Sequence, residues 1–238
     1  MSSLATELRY GLRDVTFAYG RNAPVMARAT LEFGSSERVS LLVPSGGGKT
    51  TILELLSGDR RPIAGRANLP PKASWPIGTA SIFHPAMSPE ANIRSLCSMI
   101  GQDPVGTADW VSNFAGLGRR FQEPLARCSA GERARLGYAF SYAVGRPFYV
   151  AEDSPVTGDS AFMKKCDVAL ERRLLSAGLL LVTRNTRLAG KWAQRHAVLD
   201  TGQIVEHVDS DSARAHFERV ENRFQRNETL VPSNLEVG

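Results

Sequence analysis

At 238 residues with a hydrophobic share of 42%, the chain has the size of one domain, can bury a core, and falls outside the disordered class by composition. No apolar run approaches the ~18 residues that cross a bilayer, and Met1-Ser2-Ser3-Leu4-Ala5-Thr6-Glu7 has neither the basic nor the apolar region of a secretory signal. The net charge of +5 comes from arginines scattered without an aromatic-interleaved basic block, so no nucleic-acid partner is expected, and the dispersed Cys97, Cys128 and Cys166 suit a reduced compartment.

Asp14-Val15-Thr16-Phe17-Ala18-Tyr19 alternates as a strand does and stops at Gly20. Ala29-Thr30-Leu31-Glu32-Phe33 alternates too, before the turn residues Gly34-Ser35-Ser36. Arg38-Val39-Ser40-Leu41-Leu42 reads as a strand, and Ile52, Leu55 and Leu56 mark the apolar face of a helix that begins at Lys49. Between them lies Val43-Pro44-Ser45-Gly46-Gly47-Gly48. Past the breaks at Ser57-Gly58 and Pro62 to Gly65, Arg66-Ala67-Asn68-Leu69 and Ala80-Ser81-Ile82-Phe83 are strand candidates joined by a proline-rich connector.

From Pro85 the pattern turns helical. Ser88 can cap a helix whose Ile93, Leu96, Cys97 and Ile100 share one face, closed by Gly101. A second helix is expected within residues 107–117. Ser129 and Glu132 have the spacing of a capping box, ahead of the stripe Leu136, Phe140, Ala143 and Val144. Phe148-Tyr149-Val150-Ala151 is a short buried strand ending in Glu152-Asp153. A helix over residues 163–175 leads to the strand Leu179-Leu180-Leu181-Val182-Thr183. Ala197-Val198-Leu199 and Ile204-Val205 flank Asp200-Thr201-Gly202-Gln203, a hairpin signature. After Asp209 the chain is polar and rich in arginine, a surface helix to about Arg226 with a loose end.

Strand, glycine turn and helix in that order are what a phosphate-binding loop needs. Backbone N–H groups of the turn can point at an anion, and the helix N-terminus adds its positive end. Gly48, Lys49 and Thr50 meet the end of the pattern G-x-x-x-x-G-K-[ST]; Val43 stands where its first glycine belongs. Lys49 can reach the outer phosphates, and the Thr50 hydroxyl can ligate Mg2+. A plain glycine-rich turn between strand and helix is the alternative. Strands alternating with helices argue for a mainly parallel sheet, whose ligands bind at the carboxyl ends of its strands, where this loop and Glu152-Asp153 both fall.

Four segments, 43–51, Cys128-Ser129-Ala130-Gly131-Glu132-Arg133, 148–153 and Thr157-Gly158-Asp159, stand in an order and spacing that resembles an ATP-binding cassette (ABC) transporter subunit. The resemblance spans residues 10–208. Within the family, Ser74-Trp75-Pro76-Ile77-Gly78, Glu90-Ala91-Asn92-Ile93-Arg94 and residues 129–136 are similar to the ATPases of capsular-polysaccharide and polysaccharide/polyol-phosphate exporters. The resemblance implies an α/β P-loop NTPase: a RecA-like core with a mainly parallel sheet, antiparallel β segments and a helical subdomain. The chain is then one nucleotide-binding domain, with its core at 1–84 and 147–208, helical insertion at 85–146 and polar tail at 209–238.

The roles implied are these. Tyr19 stacks on adenine, or simply packs at a strand end. Ser45, Gly46, Gly47, Gly48, Lys49, Thr50 and Thr51 cradle the phosphates of ATP. Ser129, Ala130, Gly131 and Glu132 form the signature that meets a nucleotide held by a second subunit, or are a capping box alone. Thr50, Glu152 and, less directly, His84 serve Mg2+. Asp153 polarises the attacking water, Arg184 faces the γ-phosphate, and Asp159 faces the opposite subunit or is an ordinary turn aspartate.

Several positions depart from the family pattern. Glu152 stands where the metal-linked aspartate belongs, and Asp153 where the water-polarising glutamate belongs. Each exchange moves a carboxylate by one methylene, roughly 1.5 Å. Arg184 replaces a histidine; it can stabilise negative charge but cannot accept a proton. His196 lies too far along to replace that histidine and reads as a surface residue at a helix end. Val43 cannot readily take a positive φ, so the start of the loop must be built differently.

Two readings follow. One is an ATPase that drives polysaccharide export through a separate polytopic permease, as a homodimer or heterodimer on the cytoplasmic face of the membrane. The other is a subunit that clamps nucleotide and hardly turns it over. A P-loop protein that works on nucleic acid is a third class, against which the Ser129 segment argues.

Overall fold

The structure, a computed structural model, describes residues 8–20 and 24–229. The readings of the first seven residues and of a loose C-terminal end past residue 229 concern residues outside that description. The chain divides into two compact units, Met1–Pro71 with Leu179–Gly238, and Lys72–Gly178.

The first unit holds two sheets. In one, β1 (Tyr10–Phe17) lies between β2 (Met26–Phe33) and β4 (Ala64–Asn68), antiparallel to both. Val15 and Phe17 of β1 and Ala29, Leu31 and Phe33 of β2 are buried while Thr16, Thr30 and Glu32 between them are not, as the alternation predicts. In the other, β3 (Arg38–Leu42) runs parallel to β6 (Gly178–Thr183) on one side and to β7 (Arg195–Asp200) on the other. Strands buried on both faces read as unbroken apolar runs, and every residue of β6 is buried. β8 (Gln203–His207) returns antiparallel to β7 through Thr201 and Gly202, both at positive φ, so the hairpin signature forms the turn that it encodes.

Helices α1 (Lys49–Ser57), α6 (Thr186–Trp192) and α7 (Ser210–Thr229) complete this unit. The expected polar tail is an anchored helix. Its Ala213, Phe217 and Val220, at spacings of four and three, bury one apolar stripe against Leu42, Ala189 and Val198. His216 and Arg223 of α7 both bond Asp200 at 3.1 Å, and His216 also meets His207 of β8 at 2.9 Å. His196 corrects its expected place. It lies on β7, is 5% exposed, and its Nδ1 is 2.9 Å from the Ser40 hydroxyl.

The second unit contains β5 (Phe148–Glu152) and the helices α2 (Pro89–Ile100), α3 (Pro104–Ala115), α4 (Ala130–Ala143) and α5 (Ser160–Arg173). Ser88 caps α2, as its position predicts, by accepting from the Ala91 amide. Ile93, Cys97, Val111, Leu136 and Phe140 share one core, while Ile100, placed on the same face by periodicity, is left exposed at the helix end.

The strand expected at Ala80-Ser81-Ile82-Phe83 is absent; these residues form turns. Phe83 buries instead in the helical core with its ring against Phe140, and half-buried Ile82 packs against that core. The supposed connector does the pairing. Ser74 and Ile77 donate backbone bonds to Phe148 and Val150, and the Ser74 hydroxyl accepts from Val150. Trp75 then stacks on Phe140. Glycine is required where this segment meets α4, because a Cβ on Gly137 would lie 2.5 Å from the Gly78 carbonyl. Among the described residues no helix is long and apolar enough to cross a membrane.

Candidate functional site

In the first unit, β3 delivers the chain to the glycine turn. Val43 remains strand-like. It is fully buried, its φ is not positive, and its N–H donates to the Thr183 carbonyl at 3.0 Å. The turn is made later. Gly46 and Gly48 have φ of 68° and 88°, and Gly47 donates to the Pro44 carbonyl at 2.9 Å. Gly48 is also a close approach, since a Cβ there would come within 2.5 Å of Val25 Cγ1. The start of the loop is therefore built from Pro44 and two later glycines, not from a glycine at position 43.

α1 begins at Lys49 with no side-chain cap, which leaves its first amides without side-chain acceptors of that kind. Lys49 is half-buried and Thr50 exposed. Thr51 is buried, and its hydroxyl lies 2.6 Å from the Tyr19 hydroxyl. The Tyr19 ring stands edge-on to Phe17 and receives the Arg60 guanidinium 5.2 Å from its centroid. Arg60 is itself held by Glu54 at 2.6 Å. The loop thus gathers Tyr19 and the residues from Ser45 to Thr51.

One participant has no counterpart in the sequence reading. Glu221, on α7, accepts from the Ser45 N–H through Oε2 at 3.0 Å and from Arg184 through Oε1 at 2.8 Å. A carboxylate oxygen thus sits on the Ser45 amide at the start of the glycine turn, the kind of donor that can also hold an anion. The signal that could have pointed to it is the stripe Ala213, Phe217, Val220, which fixes the face of α7 beside Glu221.

Among the described residues no group of three or more His, Cys, Asp or Glu is placed to hold a metal ion. Mg2+ is commonly bound by one or two protein oxygens plus phosphates and water, so the Thr50 hydroxyl suits an ion carried in by a nucleotide and no dedicated cage is needed.

The remaining predicted residues lie in the second unit. Glu152 ends β5, and Asp153 follows it at φ 56°, in the left-handed region. His84 is exposed, and its loop is fixed by buried Asn92, which accepts from the His84 amide at 2.7 Å and donates back to its carbonyl at 3.0 Å. Asn92 is a positioning residue that the sequence reading gave no role.

Ser129, Ala130 and Gly131 are exposed at the start of α4. The capping box is formed in both directions. Ser129 Oγ accepts from the Glu132 amide at 3.2 Å, and Glu132 accepts from the Ser129 amide at 2.7 Å. That bond from the backbone holds the Glu132 carboxyl below its ordinary pKa. Asp159 caps α5 through the amides of Ala161 and Phe162 and also pairs with Arg135. Backbone bonding, first from Phe162, lowers its pKa as well.

No family model matches the chain. It is 26% identical over 193 residues to the ATP-binding protein BexA of Haemophilus influenzae, covering 81% of this chain and 89% of BexA. It is likewise 26% identical, with the same coverage, to the capsule polysaccharide export ATP-binding protein CtrD of Neisseria meningitidis. Among solved structures, the dimeric ATP-binding cassette MJ0796 bound to ADP and phosphate superposes with a TM-score of 0.65 at 20% identity, covering 84% of this chain and 98% of that one. The fold is that of an ATP-binding cassette. The glycine turn lies between the end of β3 and the start of α1. The expected α/β P-loop fold is the one observed, and the sequence resemblance to the capsule polysaccharide export ATP-binding protein CtrD holds over four-fifths of the chain.

Proposed function

We propose that the chain is the ATP-binding subunit of an ABC transporter that exports a capsule-type polysaccharide through a separate membrane permease. The observation that carries this reading is the loop itself: a glycine turn at positive φ between β3 and α1, whose Ser45 amide and neighbouring Arg184 already hold a carboxylate, followed in sequence by a half-buried lysine. The likeness to CtrD, a capsule polysaccharide export ATP-binding protein, supports the cargo class. In this reading Ser45, Gly46, Gly47, Gly48, Lys49, Thr50 and Thr51 bind the phosphates of Mg-ATP and Tyr19 takes the base. Glu152 links the metal, Asp153 polarises water, and the exposed N-terminus of α4, Ser129 to Glu132, meets the nucleotide of a second cassette. The cassette sits on the cytoplasmic face of the membrane through its permease.

Turnover is slow. Glu152 and Asp153 carry their carboxylates one methylene away from the family's arrangement, and an error near 1 Å costs on the order of 10²-fold. The test is Mg-ATP binding and steady-state phosphate release on the purified chain, alone and with its permease. Micromolar binding with slow release is expected. Absence of ATP binding defeats the function; brisk release that Asp153→Asn abolishes defeats the slow-turnover part.

A further inference from the structure

We infer that Glu221 is an internal ligand of the phosphate loop, a carboxylate that holds the anion position until a nucleotide phosphate displaces it. The inference rests on the nucleotide site proposed above and adds a residue that regulates its occupancy.

Both carboxylate oxygens are engaged, one on the Ser45 amide and the other on Arg184. A turn amide and a guanidinium are donors suited to a phosphate oxygen, and here they are taken by one side chain. An exposed Arg–Glu pair by itself stabilises little and directs little. This pair differs in two respects: the glutamate side chain is only 13% exposed, and it reaches the backbone of the glycine turn as well as its arginine.

The reach of Glu221 is built into the fold. The residue before it, Val220, is fully buried in the seat that Phe217 and Ala213 share with Leu42, at the end of the strand that leads into the loop. Two residues after it, Arg223 bonds Asp200, which also holds His216. α7 is therefore clamped on both sides of Glu221, and the carboxylate is delivered to the loop.

An anion held in the cradle raises the apparent dissociation constant of an incoming phosphate by the reciprocal of the fraction of time that the cradle is open. When ATP enters, Glu221 swings out and Arg184 is released toward the phosphate. Nucleotide occupancy is thereby coupled to the contact between α7 and the loop.

The experiment titrates Mg-ATP by calorimetry into the full chain and into its Glu221→Gln and Glu221→Ala variants, with melting curves to establish folding. Glutamine keeps the shape and removes the charge; alanine removes both, and neither touches the apolar seat of α7. ATP should bind both variants about tenfold more tightly, the scale of one charge-assisted hydrogen bond. Equal affinity in all three proteins overturns the inference and leaves the nucleotide site standing. Weaker binding in the variants also overturns it, making Glu221 a brace of the loop. If none of the three binds ATP, the nucleotide site fails and the competition fails with it.

Discussion

The Tyr19 hydroxyl lies 2.6 Å from Thr51 Oγ1, so the aromatic residue upstream of the glycine turn is tied to the helix that the turn starts. With 45% of Tyr19 exposed, part of its ring is open to a base. The two roles separate by substitution. Tyr19→Phe removes the hydroxyl bond and keeps the stacking surface, so ATP affinity should change by no more than about threefold, the effect of one neutral hydrogen bond. Tyr19→Ala removes both and should weaken ATP by about tenfold or more, given ~1–3 kcal/mol for stacking a base on an aromatic ring. Equal losses in the two variants would assign Tyr19 to tethering the loop, with no part in holding adenine.

Much of this was legible in the sequence because it is local. The capping box at Ser129 and Glu132, the Thr201-Gly202 hairpin and the buried strand before Glu152 all follow from residue types a few positions apart. Val43 shows where local reading falls short. As a missing glycine it looks like a defect of the motif, but in the fold it is a buried β3 extension bonded to Thr183, a partner distant in sequence. The burial of His196, read from sequence as a surface residue, and the part of Glu221 escape the sequence for the same reason. Their surroundings come from Ser40 and from Ser45 with Arg184, and no periodicity links those positions. Ala80-Ser81-Ile82-Phe83 failed because short apolar runs serve a helical core as well as a sheet.

His196 makes a prediction about pH. Burial holds its pKa below the ordinary histidine value, and the charge of Asp209 only partly offsets this. Below about pH 6.5 the unfolded chain therefore binds a proton that the folded chain refuses. Stability is whole above that pH, falls as pH drops through the interval, and levels off once the folded value is passed. His207, also lowered by burial and by His216, acts in the same direction. Urea midpoints measured from pH 7.5 to 5 should fall, and His196→Gln should flatten the fall in part. An unaltered slope would place the effect on His207.

Ser129 carries two readings that one residue can separate. As the N-cap of α4 it should cost about 1 kcal/mol when changed to alanine, read from chemical denaturation. Ser129→Asp keeps a capping oxygen, so its stability should stay within about 0.5 kcal/mol of the parent. The aspartate also puts a negative charge on the exposed helix start that the signature reading points at a partner's nucleotide. Phosphate release with the permease should then be lost in Ser129→Asp despite normal stability. A stable and fully active aspartate variant would leave the residue as a cap alone.

Glu152 and Asp153 test whether the exchanged carboxylates limit turnover. Asp153 sits at φ 56°, a left-handed conformation that aspartate tolerates better than most residues. The backbone after β5 thus favours the shorter side chain at 153, and Glu152 provides the longer reach from the strand end. In the double variant Glu152→Asp with Asp153→Glu, the carboxylates take the order that the proposed function expects of an ATP-hydrolysing cassette. Phosphate release should then rise by on the order of 10²-fold if the one-methylene displacement is limiting. The conformational cost at 153 should appear as a loss of about 1 kcal/mol or less in stability. A rate that stays low with nucleotide bound would move the limitation to Arg184, which cannot take a proton and is held by Glu221.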